Sequence, residues 1–145
     1  MNQDKVFTQA AKVMGAAHIA LYRRTGGRIG GRFRGAPCLL LTVTGRKSGQ
    51  PRTAPLMYGR DGDDYVIVAS KGGMPKPPVW WLNLKNNPTA EIEVGSERHR
   101  VTAEEIEGEE RERLWKLMTG IYPSYDSYQK KTSRVIPVVK LHPAN

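Results

Sequence analysis

The sequence has one cysteine, Cys38, and that scarcity excludes two constructions at once. No intramolecular disulfide can form, and no thiolate-based zinc site can be assembled. Cys38 opens an apolar run, where a free cysteine serves as a small hydrophobe. A reducing compartment is the expectation, and with it a cytoplasmic location. Histidine is nearly as sparse. His18, His99 and His142 are isolated and show no metal-ligand spacing, so no metal is expected. No Ser-His-Asp or Cys-His grouping occurs either, which assigns any chemistry to a bound cofactor. No apolar run reaches the roughly 18–20 residues that span a bilayer. The N-terminal apolar stretch is interrupted by Lys12 and His18 and is followed by Arg23 and Arg24, which argues against a secretory leader. Acidic residues are missing from one region. Residues 1–52 hold 10 Lys and Arg against 1 Asp, whereas residues 53–145 hold 13 against 13, so the whole net charge of +9 sits in the first third. An anionic partner there is the expectation.

What is present suits a soluble globular domain. The chain has 145 residues, 39% of them hydrophobic, with a mean hydropathy of −0.54. That length buries a core without covalent staples. Residues 4–22 carry Val6, Ala10, Val13, Ala17 and Leu21 at helical spacing and predict a helix. "RRTGGRIGGRFRG" then breaks the periodicity and reads as a flexible basic linker, which divides residues 1–34 from a body over residues 35–145. "CLLLTVT", "TAPLMYG", "DYVIVAS", "AEIEV", "RHRVTAEEI" and "RVIPVVKL" predict six strands, the last with Pro137 at an edge or bulge. Asp61-Gly62 and Gly95-Ser96 mark hairpins. In "AEIEV", Ile92 and Val94 alternate with Glu91 and Glu93, which predicts one wet face. "VWWLNLKN", "GEERERLWKLMTGI" and "SYDSYQKK" predict helices. Short strands with inserted helices, and no βαβ alternation, predict a mainly β, α+β chain: a small antiparallel barrel with peripheral helices and an N-terminal helix.

Three stretches concentrate chemistry. "TGRKSGQPRTAPL" places Arg46, Lys47 and Arg52 in a tight connection between strands. It lacks the spacing of a Walker phosphate loop. It reads as an anion cradle, as a solvated basic hairpin, or as a minor-groove arm. "ASKGGMPKPPVWWLNL" joins a strand end, a Gly-Gly backbone, Lys71 and two indoles, which suits a planar anionic ligand. One of the two adjacent tryptophans is expected in the core, because neighbours on a helix point about 100° apart. "YPSYDSY" repeats Tyr122, Tyr125 and Tyr128 on one broad helical face, offering rings to stack and hydroxyls to donate, or a packing stripe.

The strings "LLLTVTGRKSGQPRTAPLMY", "ASKGG", "PVWWLNLKNNP" and "YPSYDSYQKKTSRVIPVV", in this order and at these separations, resemble the deazaflavin-dependent nitroreductase family, F420H2-dependent quinone reductases included, across about residues 30–140. The resemblance implies a split β-barrel of the FMN-binding type in an actinobacterial enzyme. It implies reduced coenzyme F420, a 5-deazaflavin with a phosphate and an oligoglutamate tail, as hydride donor to a quinone, an unsaturated ketone or a nitroaromatic. By that resemblance Arg46, Lys47 and Ser48 hold the tail, and Arg52, Thr53, Ala54, Pro55, Leu56 and Met57 line the next part of the site. Val68, Ala69, Ser70 and Lys71 meet the deazaflavin and its linker. Val79, Trp80, Trp81, Leu82 and Asn83 close one side. Tyr125 lies over the ring, with Tyr122 and Tyr128 shaping the substrate pocket. Ser70, Tyr122 or Tyr128 polarises the acceptor oxygen or relays the proton. Met57 stands where the nitroimidazole-activating member carries an aromatic residue.

Two other readings compete. An FMN-dependent split-barrel oxidoreductase has one phosphate to bind and leaves a long cationic track unexplained. A basic barrel that binds nucleic acid would stack bases on its aromatics, but two of the three aromatic clusters lie in the charge-neutral part, so no nucleic acid is expected. The helix of residues 4–22, followed by Arg23, Arg24, Arg28, Arg32 and Arg34, suits peripheral association with the inner face of the cell membrane. Packing of that helix on the barrel is the alternative.

Overall fold

The computed structural model describes residues 16–33, 35–70, 73 and 76–144. Helix α1 occupies residues 16–25. There follow β1 (Arg32–Phe33), β2 (Ala36–Thr44), β3 (Pro51–Met57), β4 (Gly59–Asp61), β5 (Asp64–Val68), α2 (Val79–Asn86), β6 (Thr89–Val94), β7 (Glu97–Ile106), α3 (Gly108–Ile121), α4 (Ser124–Lys130) and β8 (Val138–Pro143).

The sheet is antiparallel throughout, ordered β1-β2-β6-β7-β8-β5-β4, with β3 on the other edge of β2. Leu40 of β2 stands opposite Pro55 on one side and Glu93 on the other. A single residue, Tyr58, separates β3 from β4. Yet β3 pairs with β2 and β4 pairs with β5, near opposite ends of that order. So short a connection can serve both ends only if the sheet curls until they meet. At the seam the Tyr58 N–H donates to the Pro37 carbonyl at 3.1 Å. The expected split β-barrel is the result.

Alternation along the strands sorts the apolar residues into two cores. Inside the barrel lie Leu39, Leu41 and Val43 of β2, Tyr65 and Ile67 of β5, Ile92, Val101, Val139 and Leu141, with Trp81 and Leu84 of α2 packed among them. Outside, α3 and α4 cover Val66, Val68, Ile106 and Val138 with Leu114, Met118, Tyr122 and Tyr125. β5 serves both, so it reads as an unbroken apolar run. Gly59 lets α3 approach, since a Cβ there would stand 2.8 Å from Met118 Sδ.

Four expectations need correction. Glu93 is not on a wet face: it is 8% exposed. Arg23 of α1 covers it, with Nη2 2.9 Å and Nε 3.2 Å from Oε2, and Arg98 adds a second cation at 3.5 Å. Pro137 does not lie within an edge strand. It precedes β8, which runs between β7 and β5, and its carbonyl accepts the Ala69 N–H at 3.0 Å. The basic Gly/Arg segment is built into the fold. It completes α1, turns at residues 26–30 and forms β1, which pairs with Ala36 and Pro37. Finally, Ala17 and Leu21 of the predicted helical stripe are exposed, and the buried residue is Tyr22, one position further round. Val6, Ala10 and Val13 lie outside the described residues.

Tyr22 fastens α1 to the barrel. Its hydroxyl accepts the Gly95 N–H at 2.7 Å and faces the Glu93 and Cys38 carbonyls at 3.1 and 3.2 Å. Tyr22→Phe keeps the ring and orphans these buried groups, so it should lower stability by about 1–3 kcal/mol in urea unfolding. A variant as stable as the parent would show that the hydroxyl does not hold the helix.

Candidate functional site

The turn between β2 and β3 is built by its own backbone. Gly45 N–H donates to Gln50 O and Gly49 N–H to Gly45 O, both at 2.8 Å. Ser48 Oγ accepts the Gln50 N–H at 3.2 Å and lies 3.5 Å from Arg52 Nη2. Arg46, Lys47, Ser48 and Arg52 are all exposed. Among the described residues no carboxylate stands within ion-pair distance of Arg46, Lys47 or Arg52. Three cations thus share one short turn with no counter-charge, a field that favours a bound anion.

Asn83 acts behind this turn rather than on its surface. It is 3% exposed on α2, and its Oδ1 accepts both the Arg46 N–H at 3.0 Å and Arg46 Nη1 at 3.1 Å. On the same helix Val79 is exposed, Trp80 and Leu82 are half-buried, and Trp81 is a core residue as one of the pair had to be. Along β3 the side chains divide. Leu56 packs on the inner core and Met57 on the outer one, against which Tyr128 also packs. Thr53 Oγ1 meets Thr42 Oγ1 at 2.8 Å and Arg23 Nη2 at 3.4 Å, while Ala54 and Pro55 are half-buried.

At the end of β5, Val68 faces the outer core, Ala69 the inner one, and Ser70 is 9% exposed. Lys71 lies outside the described residues. Gly73 N–H closes a turn on Ser70 O at 3.0 Å. Only glycine fits there: φ is +79°, and a Cβ would stand 2.6 Å from Tyr128 O. The tyrosines converge, although not on one helical face: Tyr122 caps α3, and Tyr125 and Tyr128 lie on α4. Tyr122 and Tyr128 share a hydroxyl–hydroxyl hydrogen bond of 2.8 Å, and Tyr125 packs edge-on to both, its ring centroid 5.1 and 6.3 Å away. Tyr125 is 3% exposed, and burial pushes its hydroxyl well above the usual phenol range, so it stays neutral. Cys38 is held inert in the same way, its thiol pushed up to about 11 by burial.

Sequence reasoning missed Arg134 and Gln129. Arg134 grips the Ala69 and Ser70 carbonyls, and Gln129 bonds Arg134 O at 2.8 Å and the Ile136 N–H at 3.0 Å. The one signal was a lone arginine directly before an apolar run.

The chain matches the family described as F420H(2)-dependent quinone reductase over residues 15–143. It is 52% identical over 128 residues to an F420H(2)-dependent quinone reductase of Mycobacterium tuberculosis, covering 86% of each chain. Among solved structures it resembles an F420-H2 dependent reductase, at 48% identity and a TM-score of 0.69, over 73% of this chain and 94% of that one. It also resembles a protein solved as a domain-swapped dimer, at 41% identity and a TM-score of 0.71, over 96% and 98%. Exposed arginines, a lysine and a serine on one turn are the donors that a phosphate and a run of carboxylates require, so the residues present fit such a coenzyme.

Asn83→Ala removes the acceptor that pins the Arg46 amide. Hydrogen exchange at that amide should accelerate while the β5 amides stay protected, and stability should fall by about 1–3 kcal/mol. Unchanged exchange at Arg46 would show that the turn holds itself.

Proposed function

The chain belongs to the F420H(2)-dependent quinone reductase family, and we propose that its coenzyme lies along β3, from the Arg46–Arg52 turn to the tyrosine cluster. Reduction of a quinone at the expense of reduced coenzyme F420 is the activity, and the bound coenzyme supplies the hydride. The observation that carries the placement is the triple of Arg46, Lys47 and Arg52, unpaired among the described residues, at one end of β3, with Met57 at the other, packed on the outer core to which Tyr122 and Tyr128 also belong. Five strand steps of roughly 3.4 Å separate Arg52 from Met57, about 17 Å. That span suits an elongated ligand with charge at one end and a flat ring at the other.

In this placement Arg46, Lys47, Ser48 and Arg52 neutralise the tail, and Thr53, Ala54, Pro55 and Leu56 flank the linker. Val79, Trp80 and Leu82 form a wall that buried Trp81 and Asn83 support from within. Val68, Ala69 and Ser70 border the ring at the end of β5. Tyr122 and Tyr128 face the acceptor, with Tyr125 as the wall behind them. Their hydroxyl pair and Ser70 are the groups in reach to polarise the acceptor oxygen or pass it a proton. Holding donor and acceptor rings face to face supplies much of the acceleration. Unsaturated ketones and nitroaromatics are electron-poor acceptors of the same kind, and Met57, in place of an aromatic residue, weighs against bulky nitroaromatics more than against quinones or enones.

Fluorescence titration tests the placement. Coenzyme F420 should bind much more tightly than FMN. Lys47→Ala should weaken a long-tailed coenzyme by roughly 1.5–3 kcal/mol and a tail-less analogue far less. In the same preparations, Tyr122→Phe and Tyr128→Phe should slow turnover of a soluble quinone with little change in coenzyme affinity. Equal losses for both coenzyme forms would remove the turn from the tail site, and FMN binding as tight as F420 would redirect the reading to a flavin enzyme.

A second reading concerns residues 16–32. Ala17, Leu21 (45% exposed) and Ile29 (51%) present apolar surface beside exposed Arg24 and Arg28. Among the described residues no helix is long and apolar enough to cross a membrane. The patch therefore supports peripheral binding to an anionic leaflet, where each basic residue contributes about 1 kcal/mol. The protein should sediment with anionic vesicles at low salt, and Leu21→Glu with Ile29→Glu should abolish it. Parent protein that stays in the supernatant would end this reading.

A further inference from the structure

We infer that Arg134 is a positioning residue for the coenzyme site, fixing the backbone at Ala69 and Ser70 so that Ser70 presents its N–H and hydroxyl to the coenzyme. The inference rests on the placement proposed above.

Arg134 Nη1 donates to the Ala69 carbonyl at 3.2 Å and Nη2 to the Ser70 carbonyl at 2.7 Å. Successive carbonyls of a strand point to opposite sides of its axis. Here two successive carbonyls converge on one guanidinium, so the chain has left the ladder. β5 indeed ends at Val68, and Gly73 N–H returns to Ser70 O. All the described peptide bonds are trans. In a trans peptide the N–H points opposite to the carbonyl. The Ser70 N–H therefore points away from Arg134 once Arg134 holds the Ala69 carbonyl. A cation bonded to that carbonyl also polarises the amide and makes its N–H a stronger donor. The planar fork of arginine can hold both carbonyls at fixed geometry, which the point charge of lysine cannot.

The grip also ties this turn to the tyrosine helix. Gln129 of α4 accepts the Ile136 N–H and donates to Arg134 O, so it clamps the backbone on either side of Val135, next to the arginine. Gly73 lies against the Tyr128 backbone, and the Tyr128 hydroxyl meets that of Tyr122. Ser70 and the hydroxyl pair, the three groups proposed to act on the acceptor, are thereby held as one unit.

Arg134→Met and Arg134→Lys, each alone and combined with Ser70→Ala, separate positioning from general stability. Coenzyme F420 dissociation constants come from fluorescence titration, and thermal unfolding verifies that each variant is folded at the assay temperature. Arg134→Met should weaken binding about tenfold or more, and Arg134→Lys should recover part of the loss. Because Arg134 acts through Ser70, the Ser70→Ala loss should nearly vanish in the Arg134→Met background. Parental affinity in Arg134→Met, or losses that simply add, would overturn the inference. If Arg134→Met fails to fold, Gln129→Leu keeps the arginine and releases its brace, and it should weaken the coenzyme too; parental affinity there would again overturn it. Failure of the parent to bind the coenzyme would overturn the underlying reading along with this one, whereas parental binding with an indifferent Arg134→Met overturns this one alone.

Discussion

Everything in this fold follows from the continuity of residues 51–61. One segment pairs with β2 in its first half and with β5 in its second, and Tyr58 is the whole connection. The sheet has no freedom to stay open. Curling it creates an inside, which the odd-numbered residues of β2 fill, and an outside, which needs helices to cover it. It also carries the chain along β3 from the basic turn to the outer core without a break. The proposed site runs along the closing segment because that segment leads from one region to the other.

The chain's charge follows the same geometry. Several charges elsewhere are matched in place. Asp61 lies between Arg113, at 2.8 Å, and Lys140, at 2.9 Å, and those two cations hold its carboxyl well below the usual carboxylate range. Glu93 is enclosed by Arg23 and Arg98. His142 sits between Glu104, at 2.8 Å, and Asp64, at 3.0 Å, and its pKa is raised by both. Such pairs are partly exposed and contribute little each to stability, yet they show that this sequence supplies partners where it needs none but its own. Among the described residues it supplies none at Arg46, Lys47 and Arg52. Three unpaired cations in so short a stretch are the basis for proposing that the coenzyme's anionic tail lies there.

Element limits were legible wherever local chemistry decides them. Helix α2 starts after Pro78 and ends before Asn87-Pro88, and α3 opens at Gly108, as their punctuation predicts. The three cations and three tyrosines were legible as types at a spacing. What stayed hidden was set by distant partners. Glu93 alternates as a surface residue does, and nothing within β6 announces that Arg23, 70 positions earlier, will cover it. Pro137 looks like an edge signal until β8 is seen to start one residue later. The stripe ending at Leu21 has helical period, but the helix docks through a phenol whose acceptors lie on β2 and β6. Periodicity reports which face could be buried, and a polar anchor can rotate that face by one residue.

The same limit explains the polar residues that hold the site from behind. Loops rich in glycine and proline make few ladder bonds, so their backbone groups need other partners. Asn83 supplies one to the Arg46 amide, Gln129 two to the segment around Arg134, and Arg134 two to the end of β5. Each comes from a different element than the loop it holds, and none needs to touch a ligand. Side chains bonded to backbone in this way keep a flexible stretch in one shape while leaving its exposed surface for recognition. Gly73, Ser70 and the basic turn can therefore be small and mobile by composition yet fixed in place by polar residues from neighbouring elements.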